Sequence, residues 1–169
     1  MILYEKDDKL KEAYRVSKLH LERMMSAYSK IAPCFPLTIE RYDTMEPDLL
    51  AYFDQFVYRF SKLQDSMGGK LFKAILENLG EETRNVPFID LLNKLEALTI
   101  LDNATDWLIL RDIRNIIAHE YPFHQQEVIE GLNQIHVNYS TLLHIWSTVE
   151  SYLFKKFSYV MKEMDSMDS

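Results

Sequence analysis

Residues 106–122 read DWLILRDIRNIIAHEYP, and the order of apolar and polar side chains in this stretch decides the fold class. At about 100° per residue from Trp107, the residues Leu110, Ile117, Ile113, Ile109 and Ile116 fall into one arc, the pattern of a helix with a buried face. Arg111, Asn115 and His119 recur at i, i+4 and i+8 on the other side, while Arg114 stands on the boundary beside Ala118 and Trp107. Asp102, Asn103 or Thr105 is placed to cap this helix. Its end is expected near Tyr121, because the residue before Pro122 is steered away from helical geometry.

Helical periodicity continues outward in both directions. Leu10, Tyr14, Leu21, Met24, Met25 and Tyr28 predict a first helix over 7–31, with both methionines as core material, and Pro33 and Pro36 stop it. Pro47 suits the first turn of a second helix carrying Leu49, Leu50, Phe53, Phe56, Val57, Phe60 and Leu63. Gly68-Gly69 interrupts that pattern, as a break or as a point of close packing, and Leu71, Ile75, Leu76 and Leu79 carry it on to a stop at Gly80. Pro87 opens a shorter helix with Ile89, Leu91, Leu92, Leu95 and Leu98. A last helix is expected over 126–159 with Ile129, Leu132, Ile135, Tyr139, Leu142, Leu143, Trp146, Val149, Leu153 and Phe157 inward. With only 4 Gly and 5 Pro in 169 residues there is little turn punctuation for a sheet. The expectation is an all-α antiparallel bundle of four to five helices, one domain over 1–160, with KEMDSMDS at the end of a frayed tail, 161–169.

Composition narrows the function classes. The formal net charge of −7 argues against a protein that coats nucleic acid over its whole surface, so any polyanion contact has to be local. Cys34 is the single cysteine, which rules out an internal disulfide, a CxxC redox pair and a multi-thiolate zinc site; lying between two prolines it is given no role. Charges interrupt the opening MILYEKDDKLKEAYRV, unlike an export signal, and no run of apolar residues suits a membrane span. A cytoplasmic location without membrane contact is the expectation. His136 and His144 lack an ExxH or HExxH setting, so no metal is expected, and surface or interface roles are assigned to them. His124 falls in a loop after the motif, where RNA contact or no special task are both open. The 10 Tyr and 9 Phe read as packing rather than as a base-stacking platform.

A polar stripe is by itself the ordinary wet face of an amphipathic helix. The string RNIIAHEY, from Arg114 to Tyr121, is more particular: it resembles the Arg-x4-His signature of HEPN domains, with a polar residue after the arginine. Extended to Arg-x4-His-x-Tyr, it is similar to the HepT-type toxins. The resemblance implies a single-domain bundle with the motif on a late helix, a twofold dimer and a composite ribonuclease site at its interface. It also implies a separate nucleotidyltransferase antitoxin of the MntA kind that attaches AMP to Tyr121. Tyr121 has a plainer reading as well, a ring packed at the helix rim with its hydroxyl in water.

The residue types suit that chemistry. Cleaving RNA without a metal needs a base for the 2′-OH proton, an acid for the leaving 5′-oxygen, and positive charge on the transition state. His119 titrates near neutrality and Arg114 presents a planar fork to phosphate oxygens. Five residues of helix separate the two by about 7.5 Å in rise and about 140° in direction, so one copy makes a poor site. Two copies facing across a twofold axis supply one imidazole as base and one as acid. Arg114 and His119 are therefore the catalytic candidates, Asn115 and Arg111 the supporting ones, and Tyr121 the modification candidate, with no cofactor. Arg111 either extends the positive surface toward RNA or pairs with a carboxylate such as Asp112 of a neighbouring chain. The competing expectations are a noncatalytic HEPN module, acting as helper subunit of a nucleotidyltransferase, and a purely structural dimer seam.

Overall fold

The computed structural model describes residues 2–118 and 125–167, and its first helix, α1 (Ile2–Ile31), realises the periodicity expected over 7–31. Leu10, Tyr14, Leu21 and Met24 are buried along it. Met25 is exposed, a correction to its reading as core, since adjacent residues on a helix differ by about 100° and only one of the pair can face inward. A single 3-10 turn (Ala32–Cys34), which buries Cys34, and the short α2 (Ile39–Asp43) lead to α3 (Pro47–Ser66). Gly68-Gly69 does not break the chain's helical course. Residues Met67–Leu71 form a π-turn that runs directly into α4 (Phe72–Asn78). The end of α4 is closed at Gly80, whose φ of +83 lets Gly80 N–H bond Glu77 and Glu81 N–H bond Leu76.

α5 (Phe88–Ala97) follows Pro87 and buries Leu91, Leu92 and Leu95, whereas Ile89 is exposed. α6 (Ala104–Ala118) is capped by Asn103, which accepts from Thr105 N–H at 2.8 Å, and by the Glu96 carboxylate, which accepts from Ala104 N–H at 2.7 Å. Its inward residues are Ala104, Trp107, Leu110, Ile113 and Ile117. Ile109 and Ile116, expected in the same buried arc, are 42% and 45% exposed. The apolar arc of α6 is wider than the angle its neighbours cover, which leaves a stripe of two isoleucines in solvent.

The last expected helix is two. α7 (Gln125–Lys156) ends at a bend on Phe157, and α8 (Ser158–Met167) continues from it. The expected frayed tail is thus mostly helical: Met161 and Met164 are buried, and Lys11 Nζ meets Glu163 Oε2 at 2.5 Å, tying α8 to the start of α1. Residues 168 and 169 lie outside the described part.

Cross-helix contacts fix the topology. Lys6 meets Asn78, Ser17 meets Ser66 and His20 meets Arg59, so α1 runs antiparallel to α3 and α4. Arg114 reaches Asp65 and Trp107 packs on Phe72, which sets α6 antiparallel to the same pair. Asp102 meets His144 while Ile117 lies against Gly131, so α7 reverses α6. α7 faces α1 through aromatic rings, Tyr14 on Trp146 and Tyr28 on Tyr139. The result is an antiparallel helical bundle with α2, α5 and α8 as shorter elements, and no strand among the described residues. Phe53, Phe56, Phe60, Phe72 and Trp107 fill its middle, each contributing roughly 2–3 kcal/mol of apolar burial. No helix among the described residues is long and apolar enough to cross a membrane.

Candidate functional site

Where α6 crosses the π-turn, the packing is unusually close. A methyl group at Gly68 would stand 3.3 Å from Trp107 Cζ2 and 3.4 Å from Phe88 Cζ, so the missing side chain lets α5 and α6 approach the turn. The extra residue of a π-turn also displaces the helix that follows, and such turns are frequent at functional sites. Beside the turn lies a cleft of about 320 Å³. Gln64 and Asp65 of α3, Gly68 and Gly69 of the turn, and Lys73 of α4 form one wall; Phe88 of α5 and Trp107, Arg111, Arg114 and Asn115 of α6 form the other.

The sequence-predicted residues Arg111, Arg114 and Asn115 therefore share one cleft. Arg114 is held by two residues: Nη2 donates to Asp65 Oδ1 and Oδ2 at 3.0 and 3.2 Å, and Nη1 donates to Asn115 Oδ1 at 3.3 Å. Its Nε is buried with no hydrogen-bond partner. Arg111 stacks its guanidinium over the Phe88 ring, 4.8 Å from the centroid, an arrangement that leaves its N–H edge open. His119 and Tyr121, together with Pro122 and His124, lie outside the described residues.

Three residues of the cleft were not singled out by sequence reasoning. Asp65 neutralises Arg114, Lys73 adds a cation from the far side of the π-turn, and Gln64 is only 6% exposed with its Nε2 unpaired. Gln64 did carry a signal, since a carboxamide beside Leu63 interrupts the apolar stripe of α3. The glycine pair carried the other, as the place where something comes close.

His136 and His144 lie away from this cleft. His136 lies between Tyr28 and Phe35, half-buried, stacked on Phe35 at 4.4 Å, with Nδ1 2.7 Å from Tyr28 Oη. His144 is exposed and paired with Asp102 at 2.5 Å. A larger, mainly apolar cavity of about 670 Å³ lies between α3 and the α6–α7 pair, against Tyr42, Phe53, Val57, Tyr58, Ile117 and Leu132. Among the described residues no group of three or more His, Cys, Asp or Glu side chains is arranged to hold a metal ion. Compared with known proteins, the chain matches no family model, no curated protein and no solved structure.

Proposed function

We propose that this chain is a HEPN-type endoribonuclease toxin, cutting RNA without a metal through Arg114 and His119 contributed by two subunits of a homodimer. The observation that carries the reading is the gathering of Arg114, Asn115 and Arg111 in one solvent-open cleft on a helical bundle that is acidic overall. In the proposed reaction one His119 takes the proton of a ribose 2′-OH, and that oxygen attacks the adjacent phosphorus. The 5′-oxygen leaves with a proton from the second His119, giving a 2′,3′-cyclic phosphate and a 5′-OH, while Arg114 neutralises the phosphorane-like transition state. The exposed Ile109 and Ile116 support a twofold contact on α6, because burying that stripe against its copy sets two motif helices side by side.

A nucleotidyltransferase antitoxin that transfers AMP to Tyr121 is the proposed silencing partner, and the added phosphate would set negative charge against the motif arginine. The second reading, a noncatalytic HEPN helper subunit bound to a nucleotidyltransferase, is favoured by the engagement of Arg114 with Asp65, which occupies the group that phosphate would need.

Incubating RNA with the protein in excess chelator tests the first reading. Wild type is expected to leave cyclic-phosphate ends, and His119→Ala and Arg114→Ala to lose about 10²-fold or more in rate. Equal rates in all three would assign the activity to a contaminant and leave the helper reading. Intact mass after incubation with the partner and ATP is expected to gain one or more AMP units in wild type and none in Tyr121→Phe.

A further inference from the structure

The cleft sets three cations, Lys73, Arg111 and Arg114, against a single carboxylate, Asp65, and that carboxylate is already bonded to Arg114. Lys73 and Arg111 have no carboxylate partner among the described residues. Unpaired positive charge gathered from two helices is notable in a chain of net charge −7. Gln64 supplies an independent sign of a ligand. Its side chain is more than nine-tenths buried, lines the same cleft, and has an Nε2 donor with no acceptor. Buried N–H groups are nearly always satisfied, and this one, closed to solvent as it stands, meets an acceptor seated in the cleft when the carboxamide turns outward.

We propose that this cleft is a seat for a phosphate group, with Gln64, Lys73 and Arg111 as its donors. A phosphate offers several acceptor oxygens in a tetrahedral array, which one planar guanidinium, one ammonium and one amide N–H can share. Arg111 is pre-oriented for this by the Phe88 ring beneath it. The volume of about 320 Å³ exceeds what a bare phosphate fills and accommodates a nucleotide unit, its ribose or base against Phe88 and Trp107. The seat lies beside Arg114, so on a strand it holds a phosphate flanking the one cleaved. To that extent the proposal rests on the ribonuclease reading. The phosphate can come from RNA or from a free nucleotide.

Calorimetric titration of the full chain with AMP, with inorganic phosphate and with a 2′-O-methyl RNA octamer tests this. The octamer carries phosphates but no nucleophile, so binding is read without turnover and its failure is distinct from failure of cleavage. Saturable binding is expected, weakened by salt, and about fivefold to tenfold weaker in Lys73→Gln and in Gln64→Met, the loss typical of one charge-assisted or buried hydrogen bond. Binding of AMP or phosphate identifies a free source; binding of the octamer alone identifies a strand. Should Gln64→Met fail to fold by circular dichroism, the half-buried Lys73 decides the matter. Absence of saturable binding by all three ligands, or unchanged affinity in the folded variants, overturns the proposal.

Discussion

Arg114 Nη2 lies 3.0 and 3.2 Å from the two carboxylate oxygens of Asp65, so the arginine of the motif helix is turned toward α3. Asp65 is 53% exposed, and an ion pair this wet contributes only about 0.2–1 kcal/mol to stability. Its effect on a polyanion is larger in kind, because the carboxylate competes for the same guanidinium. Asp65→Asn is expected to lower the midpoint of thermal unfolding slightly while tightening RNA binding about fivefold, equivalent to roughly 1 kcal/mol. Fluorescence anisotropy with labelled RNA at fixed salt reads this. Weaker binding in the variant would recast Asp65 as the residue that orients Arg114.

Two adjacent glycines give opposite expectations. At Gly69 a methyl group meets nothing within 4 Å, so Gly69→Ala should stabilise by about 0.4–1 kcal/mol through loss of unfolded-chain freedom. At Gly68 the same methyl presses on the buried Trp107 ring and on Phe88, half-buried against the core, and Gly68→Ala should destabilise by about 1–3 kcal/mol. Urea denaturation of the two variants separates them. A stability order with Gly68→Ala above Gly69→Ala would mean that close approach is not why the π-turn carries glycine.

Much of the bundle is legible in the sequence because period and punctuation are local. The helical stretch of α1, the Gly80 stop and the Asn103 cap of α6 each depend on residues a few positions apart. The arginine–asparagine pair of the site is legible for the same reason. Periodicity gives an angle about a helix's own axis, however, and does not say which neighbour stands there. Asp65 and Lys73 therefore carry no signal of their own until α3 and α4 are set against α6. Nor does the sequence place His136, read as a surface or interface residue, between the rings of Tyr28 and Phe35. Ile109 and Ile116 fail in the other direction, apolar by pattern but left uncovered by a single bundle.

The crossing of α6 and α7 has no slack at Gly131. A Cβ there would stand 2.6 Å from Ile117 Cγ2 and 3.2 Å from Ile116 Cγ2. Gly131→Ala must push the two helices apart or force Ile117 off its rotamer, at a cost of about 2–3 kcal/mol. Adding Ile117→Leu, which moves the branch off Cβ, should recover part of that loss, giving a favourable coupling in a double-mutant cycle. Simple additivity of the two substitutions in chemical denaturation would place the strain elsewhere.

His20 gives the bundle a pH dependence of definite sign. Burial, then the nearby positive charges of Arg59, Lys62 and Arg23, holds its imidazole below the ordinary histidine value. Arg59 Nη1 lies 3.0 Å from His20 Nδ1 and, being only a donor, requires the neutral ring with its proton on Nε2. In the unfolded chain the ring takes its proton near pH 6.5. Below that, the unfolded state binds more protons than the fold until the lowered folded value is passed. This contribution to stability is thus complete above about pH 6.5 and is lost as the pH falls through the folded value. NMR titration of His20 should show a midpoint below that of an unstructured histidine, and His20→Gln should flatten the stability profile just below about pH 6.5. A midpoint above the ordinary value would require a carboxylate partner for the ring in place of Arg59.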